Sequence, residues 1–325
     1  MTVLPFVCLA IGIIMGLFIK SKGFLLLADK ISTLALVCLM MTIGIGIGLN
    51  ESIMINLARI GFNCVVISIS AILFSVLATV ICERTVLPLE KMNDELKKKN
   101  LSISGVEGEH RPDEPEQGQD EKKSPLVWMM PLSIVMGLIL GIFLRNMLPP
   151  TAISKFFTIF LIILYVCVGI SQGSNRSVFS YIRLLGVRVL WLPFAILAGS
   201  LSGGLISGII LGLPLHTSMI SASGMSFYSL TGAYMTQTYG IETGTYGFIV
   251  NVMREFFTVL AMPFLVKISK GSPIAGGAAG NMDTMLAPVT KFVGVQLGLV
   301  TLITGTVLTF LVPFLLPLLS SVLRG

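Results

Sequence analysis

An all-α integral membrane protein is the fold class this sequence predicts. About eight transmembrane helices are expected, with an inverted three-helix repeat and broken or re-entrant segments. Three observations carry that expectation. The chain of 325 residues is 54% hydrophobic and only 12% charged, about half the charged share of a soluble domain. Its apolar runs recur at close to the ~20 residues that a bilayer core demands of a helix. Its first three runs also reappear, without gaps, 125 positions later.

Composition excludes several functions. The net charge of +6 comes with no basic stretch interleaved with aromatics, so no nucleic-acid partner is expected. Cys8, Cys38, Cys64, Cys82 and Cys167 lie in or beside apolar runs without metal-ligand spacing, and His110 and His216 add no cluster; such thiols read as small hydrophobes. No metal and no cofactor are expected. No Lys or Arg precedes the first apolar run, so that run reads as a retained span rather than a cleaved signal.

Taken in order, Val3–Ile19, Ile31–Leu49 and Ile60–Cys82 form the first transmembrane unit, residues 1–82. Pro5 sits near a helix start, where a missing donor costs nothing. Residues 83–125 break the pattern. Glu83–Lys123 holds 8 Lys/Arg against 11 Asp/Glu, with Pro112, Pro115 and three glycines, a composition that cannot bury a core. It reads as a charged, flexible cytoplasmic loop, with a helix around Leu87–Lys99; a regulatory or partner-docking role is the other reading. Leu126–Leu144, Phe156–Ser174 and Val189–Leu213 then form a second unit, residues 126–213. Residues 214–325 form a C-terminal region in which the Gly/Ser/Thr-rich part after Pro214 reads as re-entrant. Tyr246–Val266 and Phe292–Leu319 complete the spans.

The repeat matches Gly12 with Gly137, Gly16 with Gly141, Gly44 with Gly169, Gly48 with Gly173, and Asn50 with Asn175. Three spans per unit is an odd number, so the second unit enters from the opposite face, as in secondary transporters with alternating access. Duplication kept for packing alone is the other reading. The eight-span count puts 17 Lys/Arg on one side and 4 on the other, so both termini are expected outside the cytoplasm.

The polar chemistry of the chain is concentrated in Ser221–Lys291. Glu255 lies halfway along its span with Arg254 beside it. Neighbours at i and i+1 leave a helix on different faces, so each needs its own partner. Ionisable groups at this depth read as functional by default. Burial favours a carboxylate's neutral form, which suits Glu255 to exchange a proton near neutral pH; a permanent pairing with an arginine is the alternative. Asp283 follows the small-residue run Gly276–Gly280. It reads either as a cavity carboxylate for a cationic group or, like Asn281, as a half-helix cap. The Ser221–Ser229 run, with Ser223, Ser226 and Tyr228, suits a substrate carboxylate at a half-helix N-terminus, or only close packing. Asn50 and Asn175, at equivalent positions of the repeat, read as cavity-lining amides or as span-end caps. His216 with Ser223-Gly224 suggests an intramembrane serine hydrolase weakly, because both residues sit on one short piece. No phosphate-binding loop marks an ATP-driven pump, and no ring of like charge marks a channel.

Three segments, Ser223-Gly224-Met225-Ser226-Phe227-Tyr228-Ser229-Leu230, Asn251-Val252-Met253-Arg254-Glu255 and Gly276-Gly277-Ala278-Ala279-Gly280-Asn281-Met282-Asp283-Thr284, resemble the lysine exporter family LysO (also called YbjE). The resemblance covers most of the chain outside Glu83–Lys123. It implies export of L-lysine and thialysine from the cytoplasm, inner-membrane location, and two intramembrane acidic residues that fall on Glu255 and Asp283. Phe227-Tyr228 stands where the family has a tryptophan-tyrosine pair, and the charged loop is long. The expected substrate and proton site is therefore Glu255, Asp283, Arg254, Ser223, Ser226, Tyr228, Asn251 and Asn281, with L-lysine or a related cationic amino acid, protons and the bilayer as partners. A sodium-coupled or other organic-solute carrier of the same plan is the alternative.

Overall fold

The computed structural model describes residues 4–18, 22–98, 125–144, 150–174, 183 and 185–323. The described chain is helical: α1 Leu4–Phe18, α2 Lys22–Leu49, α3 Glu51–Thr85, α4 Leu89–Lys98, α5 Pro125–Phe143, α6 Pro150–Ser174 and α7 Trp191–Leu211. There follow α8 Leu215–Ser223, α9 Tyr228–Tyr239, α10 Ile241–Ile268, α11 Gly271–Gly277, a 3-10 turn Ala278–Met282, α12 Leu286–Val293 and α13 Val295–Val322. Among the described residues six helices are long and apolar enough to cross a membrane, and Val7–Phe18 and Leu132–Phe143 are shorter apolar helices. Large apolar side chains point outward along them, among them Phe18, Phe62, Phe143 and Ile210, as lipid contact requires. The helix expected around Leu87–Lys99 is α4. Most of the charged loop, and Asn175, lie outside the described residues. The last span begins later than the expected Phe292, because Gly294 at φ 104° ends α12 first.

Glycines set the tightest contacts. A Cβ on Gly12 of α1 would sit 2.9 Å from the Cα of Gly169 on α6, and one on Gly16 would sit 3.1 Å from the Cα of Gly173. Gly44 and Gly48 of α2 meet Gly137 and Gly141 of α5 in the same way. Positions rise together in both pairs, so α1 runs parallel to α6 and α2 parallel to α5. Small residues let these backbones touch. Gly12→Ala is expected to lose about 1–3 kcal/mol of stability through overpacking. Gly61→Ala, with nothing within 4 Å of the added Cβ, is the unaffected control; thermal unfolding in detergent reads both.

Helices α1, α2, α5 and α6 make one packed group, while α3 and α7 to α13 make another, and contact between the groups is sparse. Within the second, Gly199 and Gly203 of α7 meet Ser75 and Ala71 of α3, an antiparallel register. Helix α10 runs parallel to α3, through Asn63 to Tyr246, Ser68 to Val250 and Ser75 to Arg254. Helix α8 lies antiparallel to α7, Gly204 against Ala222 and Gly208 against Ser218. Helix α9 lies antiparallel to α10, Gly232 against Phe248 and Gly244 against Thr236. The legs α8 and α9 therefore run in opposite directions, forming a hairpin that enters from the end where α3 begins. A second hairpin, α11 and α12, enters from the other end. There the Glu83 carboxylate accepts from Ser269 Oγ at 2.7 Å and the Gly271 N–H at 3.0 Å.

Candidate functional site

The two hairpin tips meet in mid-bundle, where the chain leaves helical geometry. Met225, Ser226 and Ala278 adopt φ of 49°, 78° and 48°, a left-handed region that costs a non-glycine residue about 1–3 kcal/mol. The first break falls at Gly224–Phe227, inside the expected Ser221–Ser229 run. The second falls at Asp283–Met285, just after the small-residue run. The Ala279 N–H donates to the Met225 carbonyl at 2.9 Å and joins the tips.

Asn251 on α10 holds the first tip in shape. Its Oδ1 accepts the Ser226 N–H at 2.8 Å, and its Nδ2 donates to the Ser221 and Gly247 carbonyls. The bonds to Ser226 and Ser221 give the broken backbone partners in place of helix bonds, while the bond to Gly247 holds the amide against its own helix. Asn281 does the same in the second hairpin through Nδ2 to the Ile274 carbonyl, at 2.7 Å. Both expected amides thus shape the tips, and neither lines the cavity beside them.

That cavity encloses about 200 Å³ between the two helix groups. The tips supply Ser226, Phe227, Tyr228, Ser229 and Ala279 to Thr284 except Asn281. Helix α10 supplies Glu255, and the facing wall comes from α2 and α6. The Glu255 carboxylate accepts from Thr284 Oγ1 at 3.0 Å, and Asp283 lies exposed on the cavity wall. Tyr228 packs its ring edge-on against Phe248, centroids 5.6 Å apart. Among the described residues two carboxylates line this space, and no Lys, Arg or His does.

Arg254 and Ser223 sit elsewhere. The buried Arg254 guanidinium donates to Ser200 Oγ at 2.6 Å, Ser75 Oγ at 3.1 Å, and the Ala275 and Gly276 carbonyls at 2.9 and 3.1 Å. It ties α3, α7 and the second hairpin together and faces away from the cavity lining. Ser75 and Ser200 stand 125 positions apart, the offset of the sequence repeat. Ser223 Oγ donates to the Ile220 carbonyl, while His216 stacks on Tyr239 at 4.6 Å; the serine and histidine are engaged separately. Sequence reasoning missed Gln172, Thr284 and Thr309, three cavity residues. Gln172 could have been suspected as a lone amide inside an apolar run, and Thr284 as the neighbour of Asp283. Nothing in the sequence singled out Thr309.

The family described as Lysine exporter LysO matches residues 6–93 and 132–320, on both sides of the charged loop. The Escherichia coli (strain K12) protein named Lysine exporter LysO is 30% identical over 161 residues, which are 50% of this chain and 54% of that protein. The chain thus spans about half the length of that relative. A Haemophilus influenzae protein given as a candidate lysine exporter is 25% identical over 189 residues, 58% of this chain and 95% of that protein. No solved structure matches. The family match runs through both hairpins and the cavity between them, and on that extent the chain belongs to the lysine exporter LysO family.

Proposed function

We propose that this protein is a secondary transporter that exports L-lysine, and its analogue thialysine, across the inner membrane in exchange for protons. One observation carries the reading: a small cavity at the hairpin tips is lined by Glu255 and Asp283 and, among the described residues, by no cationic side chain. Its volume of about 200 Å³ is below the roughly 300–1,000 Å³ of pockets for drug-sized ligands, so it suits a small cationic solute. The names of the two relatives support lysine as that solute.

Lysine carries one net positive charge, and leaving a cell with an inside-negative potential of 100 mV costs it about 2.3 kcal/mol. One-for-one exchange with an entering proton removes that cost. A carboxylate that holds either a proton or an ammonium couples the two fluxes. Glu255 and Asp283 take that role, and Ser226, Tyr228 and the start of α9 face the substrate carboxylate, where the positive end of the helix dipole favours an anion. Arg254, Asn251, Asn281 and Ser223 hold the tips.

The same reading takes residues 1–82 and 126–213 as inverted repeat units, 83–125 as a cytoplasmic loop and 214–325 as the segment that carries the hairpins. The exchanged contacts support it: the first helix of each unit packs on the second helix of the other, and the third helices pack on each other antiparallel. Counting the two shorter apolar helices gives eight spans with both termini on one side, outside the cytoplasm by charge.

The test is uptake of labelled L-lysine into everted vesicles under an imposed proton gradient. Gradient-dependent uptake is expected, and Asp283→Asn is expected to reduce it at least tenfold. Wild-type vesicles that move no lysine would sink the assignment. Uptake that follows sodium instead would replace the proton with sodium as coupling ion.

A further inference from the structure

Gln172 of α6 reaches the cavity from the wall facing the carboxylates. Its Nε2 donates to the Thr309 carbonyl on α13 at 3.0 Å. A side-chain amide has one donor end and one acceptor end, so this bond fixes the rotation and turns Oε1 away from Thr309. Oε1 is buried and has no hydrogen-bond partner among the described residues.

Ser226 presents the second such atom. Its N–H is held by Asn251, its backbone sits at φ 78°, and the residue is 3% exposed. Its Oγ is buried and has no hydrogen-bond partner among the described residues, and the residue lines the same cavity. Each unmatched buried oxygen costs about 1–3 kcal/mol. Among the described residues no group satisfies these two oxygens, and both residues border a space of ligand size.

The chemistry of the pair is complementary. Gln172 Oε1 only accepts, so it matches an ammonium. Ser226 Oγ can donate, and it lies beside the first amides of α9, which lack helical partners; together they match a carboxylate. The carboxylates of Glu255 and Asp283 remain for a second ammonium. Resting on the reading of the cavity as a site for a cationic amino acid, we propose that Gln172 and Ser226 form a head-group subsite. Gln172 Oε1 accepts from the α-ammonium, Ser226 Oγ donates to the α-carboxylate, and Glu255 with Asp283 holds the side-chain ammonium.

The experiment compares three solutes in everted vesicles: L-lysine, 6-aminohexanoate, which lacks the α-ammonium, and cadaverine, which lacks the carboxylate. Gln172→Met is expected to raise KM for L-lysine about tenfold, the worth of one hydrogen bond to a charged group. It is expected to erase most of the preference over 6-aminohexanoate while keeping the preference over cadaverine. Ser226→Gly removes the hydroxyl and relieves the left-handed strain; it is expected to do the reverse. Gln172→Asn, which keeps an amide acceptor, is expected to recover part of the first preference. For a variant too slow to assay, the Tm increase produced by each solute on the purified protein is read instead. If wild type discriminates and both variants keep its preferences, the subsite is wrong while lysine export stands. Both preferences falling together in either variant would also overturn it, because that pattern is general damage. Wild-type protein that moves no L-lysine removes the reading beneath it as well.

Discussion

Glu255→Gln is expected to lower proton-driven uptake of L-lysine into everted vesicles by at least about a hundredfold. The amide keeps the size of the side chain and can still accept from Thr284 Oγ1, which lies 3.0 Å away in the native protein. It cannot carry negative charge or exchange a proton. A hydrogen bond to a charged group is worth about 1.5–3 kcal/mol, so losing the bond that the carboxylate would make to the substrate ammonium accounts for a loss of this size at about 1.4 kcal/mol per factor of ten. Glu255→Asp, with the charge withdrawn by one methylene, is expected to retain partial activity. A glutamine variant within about threefold of wild type would remove Glu255 from the coupling step.

Arg254→Met is expected to cost about 2–4 kcal/mol of stability, because a buried carbonyl left without its donor costs about 1–3 kcal/mol. The guanidinium satisfies two serines and two carbonyls at once. Methionine fills part of the space and leaves the Ala275 and Gly276 carbonyls, at the end of α11, without that donor. Lysine has three donors and no planar fork, so Arg254→Lys is expected to fall between. Thermal unfolding of the purified protein measures both. A methionine variant as stable as wild type, yet inactive, would instead place Arg254 in the transport chemistry.

Much of this was legible because depth and composition constrain a membrane chain so strongly. The runs around Ile31–Leu49 and Ile60–Cys82 became α2 and α3, since a stretch of that length with so few charges has few other fates. Glu255 and Asp283 stood out by their cost, and the structure brings both to one cavity. The tip at Gly224–Phe227 was bracketed because small residues near Pro214 stop supporting a continuous helix. Arg254 was harder to read. Its partners are two serines on separate helices and the backbone of a hairpin, and no local pattern announces such a set. Gln172 and Thr309 belong to the site only through packing between α6 and α13. Hairpin direction was likewise invisible, because it follows from which glycine meets which backbone.

The fixed guanidinium has an electrical consequence. At mid-depth the hairpin-bearing group of helices holds Arg254, Glu255 and Asp283, two carboxylates against one guanidinium. With both carboxylates bare, these three groups sum to one net negative charge. One bound proton, or one lysine with its single net positive charge, brings them to neutrality. Moving a unit charge through 100 mV takes about 2.3 kcal/mol, so in the proposed exchange the bare trio would bear a cost that either loaded form escapes. Arg254, held by Ser75, Ser200 and two carbonyls, would there offset one of the two carboxylates.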